Sequence, residues 1–176
     1  MYNLDSRFDA GLDNVYFYTA EKSDAHYLLW RYENHLRKRP GCSNPLLSWR
    51  DFVEQRDYAA KFSVEHIAAQ ANPIAETKVK WTENDEPKFF RDVAMNRLGN
   101  LVIDTIGANA SKGCKDFADK LKSLSERSSF LSQGELITFV KDRNVPVWEI
   151  GAIQARHAHL IEFARKEWNP DTWHKL

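Results

Sequence analysis

At 176 residues the chain is sized for one domain with a sizeable core, and 43% hydrophobic against 28% charged residues excludes a disordered or fibrous protein. Its 25 basic and 25 acidic residues cancel. That balance argues against a free-standing DNA-binding protein, in which excess Lys and Arg supply most of the non-specific affinity. No apolar run approaches the roughly 18 residues of a membrane span. The start, Met1-Tyr2-Asn3-Leu4-Asp5, has neither the basic region nor the apolar stretch of a secretory signal, so a cytoplasmic protein is expected. Cys42 and Cys114 lack CxxC partners and are expected to be free thiols.

In chain order, Asp24 to Arg39 reads as a helix: Leu28, Leu29, Tyr32 and Leu36 form an apolar stripe, and Pro40-Gly41 stops it. Ser48 to Gln55 suggests a second helical stretch. Phe62 to His66 is short and β-branched at Val64, a strand candidate ahead of Ile67. Glu86 to Asn96 is a further helix candidate in an otherwise irregular region. Leu98 to Asp104, apolar at Leu98, Leu101, Val102 and Ile103, is the second strand. After a turn at Thr105–Ala108, a helix is expected from Asn109 to about Arg127. Ser132 with Glu135 three residues on has the capping-box pattern. Pro146 opens a last helix carrying Trp148, Ile150, Ile153, His157, Leu160, Ile161, Ala164 and Trp168, and Asn169-Pro170 closes it. The fold expected is α+β and mainly helical, with a small ββα unit embedded among helices.

That unit gathers residues suited to phosphodiester hydrolysis, which needs an activated water, stabilised phosphoryl charge and help for the leaving oxygen. A neutral histidine can take the water's proton if its second ring nitrogen is held in one tautomer. His66, at a strand end, is the candidate base, and Asn100, in the opposing strand, is the candidate to orient its ring. Glu65 points to the opposite pleat face, as a metal ligand or as a solvated strand carboxylate. Asn109 lies nine residues after Asn100, at the expected helix start, where its side-chain oxygen can face a metal beneath the hairpin. Lys112, one turn on, is either a phosphate contact or an ordinary surface lysine. Oxygen ligands suit Mg²⁺ or Mn²⁺.

Glu65-His66-Ile67-Ala68-Ala69-Gln70, Asn100 and Asn109-Ala110-Ser111-Lys112 resemble the HNH branch of the ββα-metal nucleases, whose first motif is Asp/Glu-His-Ile/Val-x-Pro-Gln. The run Asn96-Arg97-Leu98-Gly99-Asn100-Leu101, with Asn109, Lys115 and Phe117 downstream, is similar to the C-terminal nuclease domain of Gmr-type modification-dependent restriction and phage-defence proteins. The resemblance implies His66 as general base, Asn100 as its orienting residue, and Glu65 and Asn109 as metal ligands; Lys112 and Lys115 are the candidate DNA-binding residues. It further implies 5′-phosphate and 3′-hydroxyl products and an N-terminal ParB-like nucleotide-hydrolysing domain, of which this chain would be the excised partner. Ala69 replaces the motif's Pro, and Cys114 stands where many relatives carry a second Asn. The organisation expected is a helical segment (1–60), the ββα core (61–127) and helices packing on it (128–176). The reading is a divalent-metal-dependent DNA endonuclease. The alternatives are a degenerate HNH-fold module that binds DNA or protein, and an RNase using the same site.

Overall fold

A computed structural model describes residues 10–14, 17–20, 22–54, 61–70, 73–113, 115–127, 130–142 and 148–168. Helix α1 (Phe17–Ala20) precedes α2 (Lys22–Arg37) and α3 (Trp49–Glu54). Strand β1 (Phe62–His66) follows, then a 3-10 turn at Pro73–Glu76, the two-residue strands β2 (Lys78–Val79) and β3 (Lys88–Phe89), and α4 (Phe90–Val93). A second 3-10 turn, Leu98–Asn100, leads into β4 (Leu101–Thr105). Helices α5 (Ile106–Lys112), α6 (Phe117–Arg127), α7 (Leu131–Asp142) and α8 (Ile150–Glu167) complete the described chain. The protein is therefore α+β and mainly helical, as its patterning predicts.

The pairing of β1 with β4 is antiparallel, with Ser63 opposite Asp104, Glu65 opposite Val102 and His66 opposite Leu101. Successive residues face opposite sides of this ribbon, and each side feeds its own core. Val64, Leu101 and Ile103 pack with Leu28, Leu29, Tyr32 and Leu36 of α2. Val102 and Ile67 pack with Leu136, Val140, Trp148 and Ile153. The hairpin is thus the partition between two hydrophobic layers, which fixes its register on both faces.

Four elements differ from the sequence pattern. The first residues of the expected second strand instead form the 3-10 turn, closed by Asn100 N–H donating to the Arg97 carbonyl at 2.9 Å. The helix expected from Asn109 to Arg127 begins earlier and is broken. Thr105 caps it, its hydroxyl accepting from Ala108 N–H at 3.2 Å, and Gly113 at φ 47° ends it, a backbone state that favours glycine. The Glu86–Asn96 helix shrinks to α4, because Lys88–Phe89 pairs with Lys78–Val79.

The fourth difference is the capping box. The Leu131 and Ser132 amides donate at 3.0 and 2.9 Å to the buried carboxylate of Glu33 on α2, which caps α7 from across the core. Glu135 turns instead to Tyr32 and Arg39. Gln55, Cys114, the expected helix start at Pro146 and its stop at Asn169-Pro170 lie outside the described residues. Among the described residues no helix is long and apolar enough to cross a membrane.

Gly99 is where α8 comes closest to the hairpin. A Cβ there would lie 2.2 Å from the Ile153 carbonyl oxygen and 2.8 Å from His157 Cβ. Gly99→Ala is therefore expected to push α8 off the turn and cost about 1–3 kcal/mol. Urea unfolding measures this, and an unchanged midpoint contradicts the close packing.

Candidate active site

His66 ends β1 with its ring enclosed, 8% exposed, and edge-on to Tyr18 at 4.9 Å between ring centroids. Its Nε2 lies 3.2 Å from Asn96 Oδ1 and 3.5 Å from Gln70 Nε2. The shorter contact decides the tautomer: Nε2 carries the proton toward the Asn96 oxygen, and Nδ1 keeps its lone pair. Burial pushes the imidazole down to about 4, Asn96 opposing and the Lys120 charge assisting. The ring is neutral at pH 7, as a base must be.

Asn100 does not reach that ring. Its Oδ1 accepts from Ala68 N–H at 2.8 Å and from the Trp148 indole N–H at 3.0 Å. Its Nδ2 donates to the carbonyls of Met95 at 2.9 Å and Ala68 at 3.3 Å. The ring-orienting role expected of Asn100 falls to Asn96, four residues earlier, because the 3-10 turn directs Asn100 inward to the loop after β1. Asn100 positions His66 through backbone: it fixes Ala68, and its own carbonyl accepts from Ile67 N–H at 2.9 Å.

On the other face of the ribbon, as the strand alternation predicts, lies a buried cluster of charges. Glu65 pairs with Lys120 of α6, and Asp104 pairs with Lys112 of α5. Lys120 Nζ also donates to the His66 carbonyl at 2.7 Å, and Gln133 Nε2 donates to Asp104 Oδ1 at 3.0 Å. Burial raises the Glu65 carboxyl, while the Lys120 hydrogen bond and charge draw it back. Lys112 is 4% exposed and paired with Asp104, so it is not the ordinary surface lysine of one reading. Lys115 is exposed in the short gap between α5 and α6.

Asn109 sits on α5 under β1, donating from Nδ2 to Ser63 Oγ at 3.0 Å and to the Val64 carbonyl at 3.1 Å. A metal between Glu65 and Asn109 requires the Glu65 carboxylate to leave the lysine with which it is paired here. The cation that Glu65 meets is the Lys120 ammonium, and Asn109 donates from its amide nitrogen to the strand, which leaves its Oδ1 on the other side of the carboxamide. Among the described residues no three His, Cys, Asp or Glu side chains converge as a metal cradle.

Sequence reasoning missed Asn96, Asp104, Lys120 and Trp148 as parts of this site. Two left a signal. Lys120 lies three residues after Phe117 on one helix, and Asp104 lies two after Val102, hence on the Glu65 face.

The structure thus sets a ββα unit, with a neutral histidine at the strand end, inside a mainly helical domain. The description of the C-terminal domain of GmrSD restriction endonucleases matches residues 2–163, and the chain belongs to that family. No curated protein and no solved structure matches it.

Because His66 is pushed below its ordinary 6.5, the unfolded chain takes up this proton first on acidification. Its contribution is therefore present above pH 6.5 and lost as pH falls toward 4, an effect on the order of 3 kcal/mol. Urea unfolding across this range is expected to show stability falling with pH. His66→Gln flattens the slope, leaving the parts due to His157 and His35, which burial also lowers. An unaltered slope in His66→Gln contradicts the buried neutral ring.

Proposed function

We propose that this domain hydrolyses phosphodiester bonds of DNA in the cytoplasm, as the cutting part of a restriction system directed at foreign DNA. Membership of a restriction-endonuclease family supplies the class of reaction. The observation that carries the assignment to His66 is its neutral imidazole with Nε2–H fixed by Asn96. In this reading Nδ1 takes the proton of the attacking water. Lys120, holding the His66 carbonyl, keeps the strand end from swinging. Exposed Lys115 meets a backbone phosphate. The zero net charge leaves affinity for DNA to another part of the system, and the ParB-like nucleotide-hydrolysing domain implied by the resemblance is the proposed source.

Mg²⁺ or Mn²⁺ is the cofactor that the resemblance implies. Its use of Glu65 requires that carboxylate to leave Lys120. The same ion pair favours a second reading, a catalytically degenerate module that holds DNA or protein without cutting.

Supercoiled plasmid incubated with the protein and Mg²⁺ or Mn²⁺ separates the readings. Nicking is expected, abolished by EDTA and reduced by about 100-fold or more in His66→Ala. No nicking with retained DNA binding supports the degenerate module. Activity unchanged in His66→Ala overturns the assignment of the base, and cleavage of RNA but not DNA overturns the substrate.

A further inference from the structure

We propose, building on the reading of this domain as a DNA nuclease, that Arg97 and His157 form the seat of a DNA backbone phosphate flanking the scissile one, and that Asp13 fills this seat as an internal competitor. Asp13 Oδ1 accepts from Arg97 Nη1 at 2.6 Å and from His157 Nε2 at 3.0 Å. A carboxylate oxygen only accepts, so Nε2 carries the imidazole proton. One anionic oxygen thus already sits between a guanidinium and an imidazole N–H, donors equally suited to the oxygens of a phosphate.

The two bases are held from behind. The Arg97 guanidinium lies over the Trp81 ring at 3.9 Å, and its Nε donates to the Val93 carbonyl at 2.8 Å. The His157 ring meets the same Trp81 edge-on at 5.4 Å between centroids. Trp81 and the end of α4 therefore keep both donors in place whichever anion faces them. Asp85, the other acid near Arg97, takes the Thr82 amide at 2.7 Å. Asp13 is less firmly placed. Its side chain is 55% exposed, above an Arg97 that is 10% exposed and a His157 that is 4% exposed. An ion pair with one partner so exposed adds little to stability, and a turn of the Asp13 side chain into solvent opens the two donors to another anion.

The position of the seat points to the nuclease substrate. Arg97 follows Asn96, whose Oδ1 fixes the His66 ring. Tyr18 of α1 sets its own ring edge-on to His66, and its N–H donates to the Asn96 carbonyl at 3.3 Å. Asp13 and Tyr18 thus stand over the seat and the imidazole together, where a DNA strand must run to reach His66. Phosphate contacts of this kind fix the register of a strand without reading its bases. An acid that occupies one of them is in keeping with a domain whose charges sum to zero.

Binding of a short fluorescein-labelled DNA duplex, read by anisotropy in EDTA, tests this without any need for cutting. Asp13→Asn keeps the size of the side chain and removes its charge. It is expected to tighten binding about fivefold or more, whereas Asp51→Asn, the same change at an exposed position of α3, moves it by less than about twofold. Adding Arg97→Gln to Asp13→Asn is expected to remove the gain, and His157→Gln serves in its place should the Arg97 variant not fold. An Asp13 that only tethers the chain behaves oppositely, its loss leaving affinity unchanged or weaker. Tightening without nicking in Mg²⁺ upholds the seat and sinks only the cleavage reading. Four results overturn the proposal: no tightening in Asp13→Asn, equal tightening in Asp51→Asn, a gain that survives the loss of Arg97 or His157, or a larger gain for an RNA duplex than for DNA.

Discussion

The carboxamide of Asn100 is the constraint on which the site depends. It is wholly buried, and its donor and acceptor sides meet Ala68, Met95 and Trp148, three segments distant in sequence. Only a side chain with both an N–H₂ and a C=O serves this position. An aspartate would set a charge against the Met95 carbonyl, and a leucine would leave the Ala68 amide and the Trp148 indole without acceptors in the core. Because Ala68 lies two residues past His66, fixing it fixes where the strand ends. The partition between the two cores and the place of the imidazole are thus one structural fact.

The buried charges beneath the ribbon form a second, dependent layer. Glu65 and Asp104 are each matched by a lysine from the helices that follow β4, so the cluster sums to zero in a region closed to water. Such pairs add little net stability over apolar packing, but losing one partner strands a buried charge at about 3–5 kcal/mol. Their effect is to specify how α5 and α6 dock. Lys120 links this layer to the site, since one ammonium holds both the Glu65 carboxylate and the His66 carbonyl. The ring and the carboxylate face opposite sides of the strand, yet they share a tether.

The hairpin was legible because its signals are local. Val64 on one strand and the apolar run Leu101-Val102-Ile103 on the other mark a ribbon covered on both faces, and the bounds of β1 follow the sequence pattern. His66 stood out by residue type and spacing. The partners did not, because they are set by packing. Glu65 meets a lysine 55 residues away, and His66 meets an asparagine 30 residues away. The capping of α7 misled for the same reason. Ser132 and Glu135 satisfy the local pattern, yet a carboxylate 98 residues upstream reaches the helix first. Breaks in helices were half visible: Gly113 is in the sequence, but only its positive φ reveals it as a stop.

Family membership gives the class of reaction, and the geometry shows how one asparagine lets a neutral histidine end a strand in a fixed place. The most direct measurement of that dependence is amide hydrogen exchange at Ala68 together with the His66 ring titration, in wild type and in Asn100→Ala. With Asn100 in place, the Ala68 amide is expected to exchange only through global unfolding, and the imidazole to titrate near 4. In Asn100→Ala, Ala68 loses its protection and the imidazole moves back toward 6.5 while the β1–β4 pairing persists. Ala68 protection and an unmoved His66 titration in folded Asn100→Ala would contradict the account.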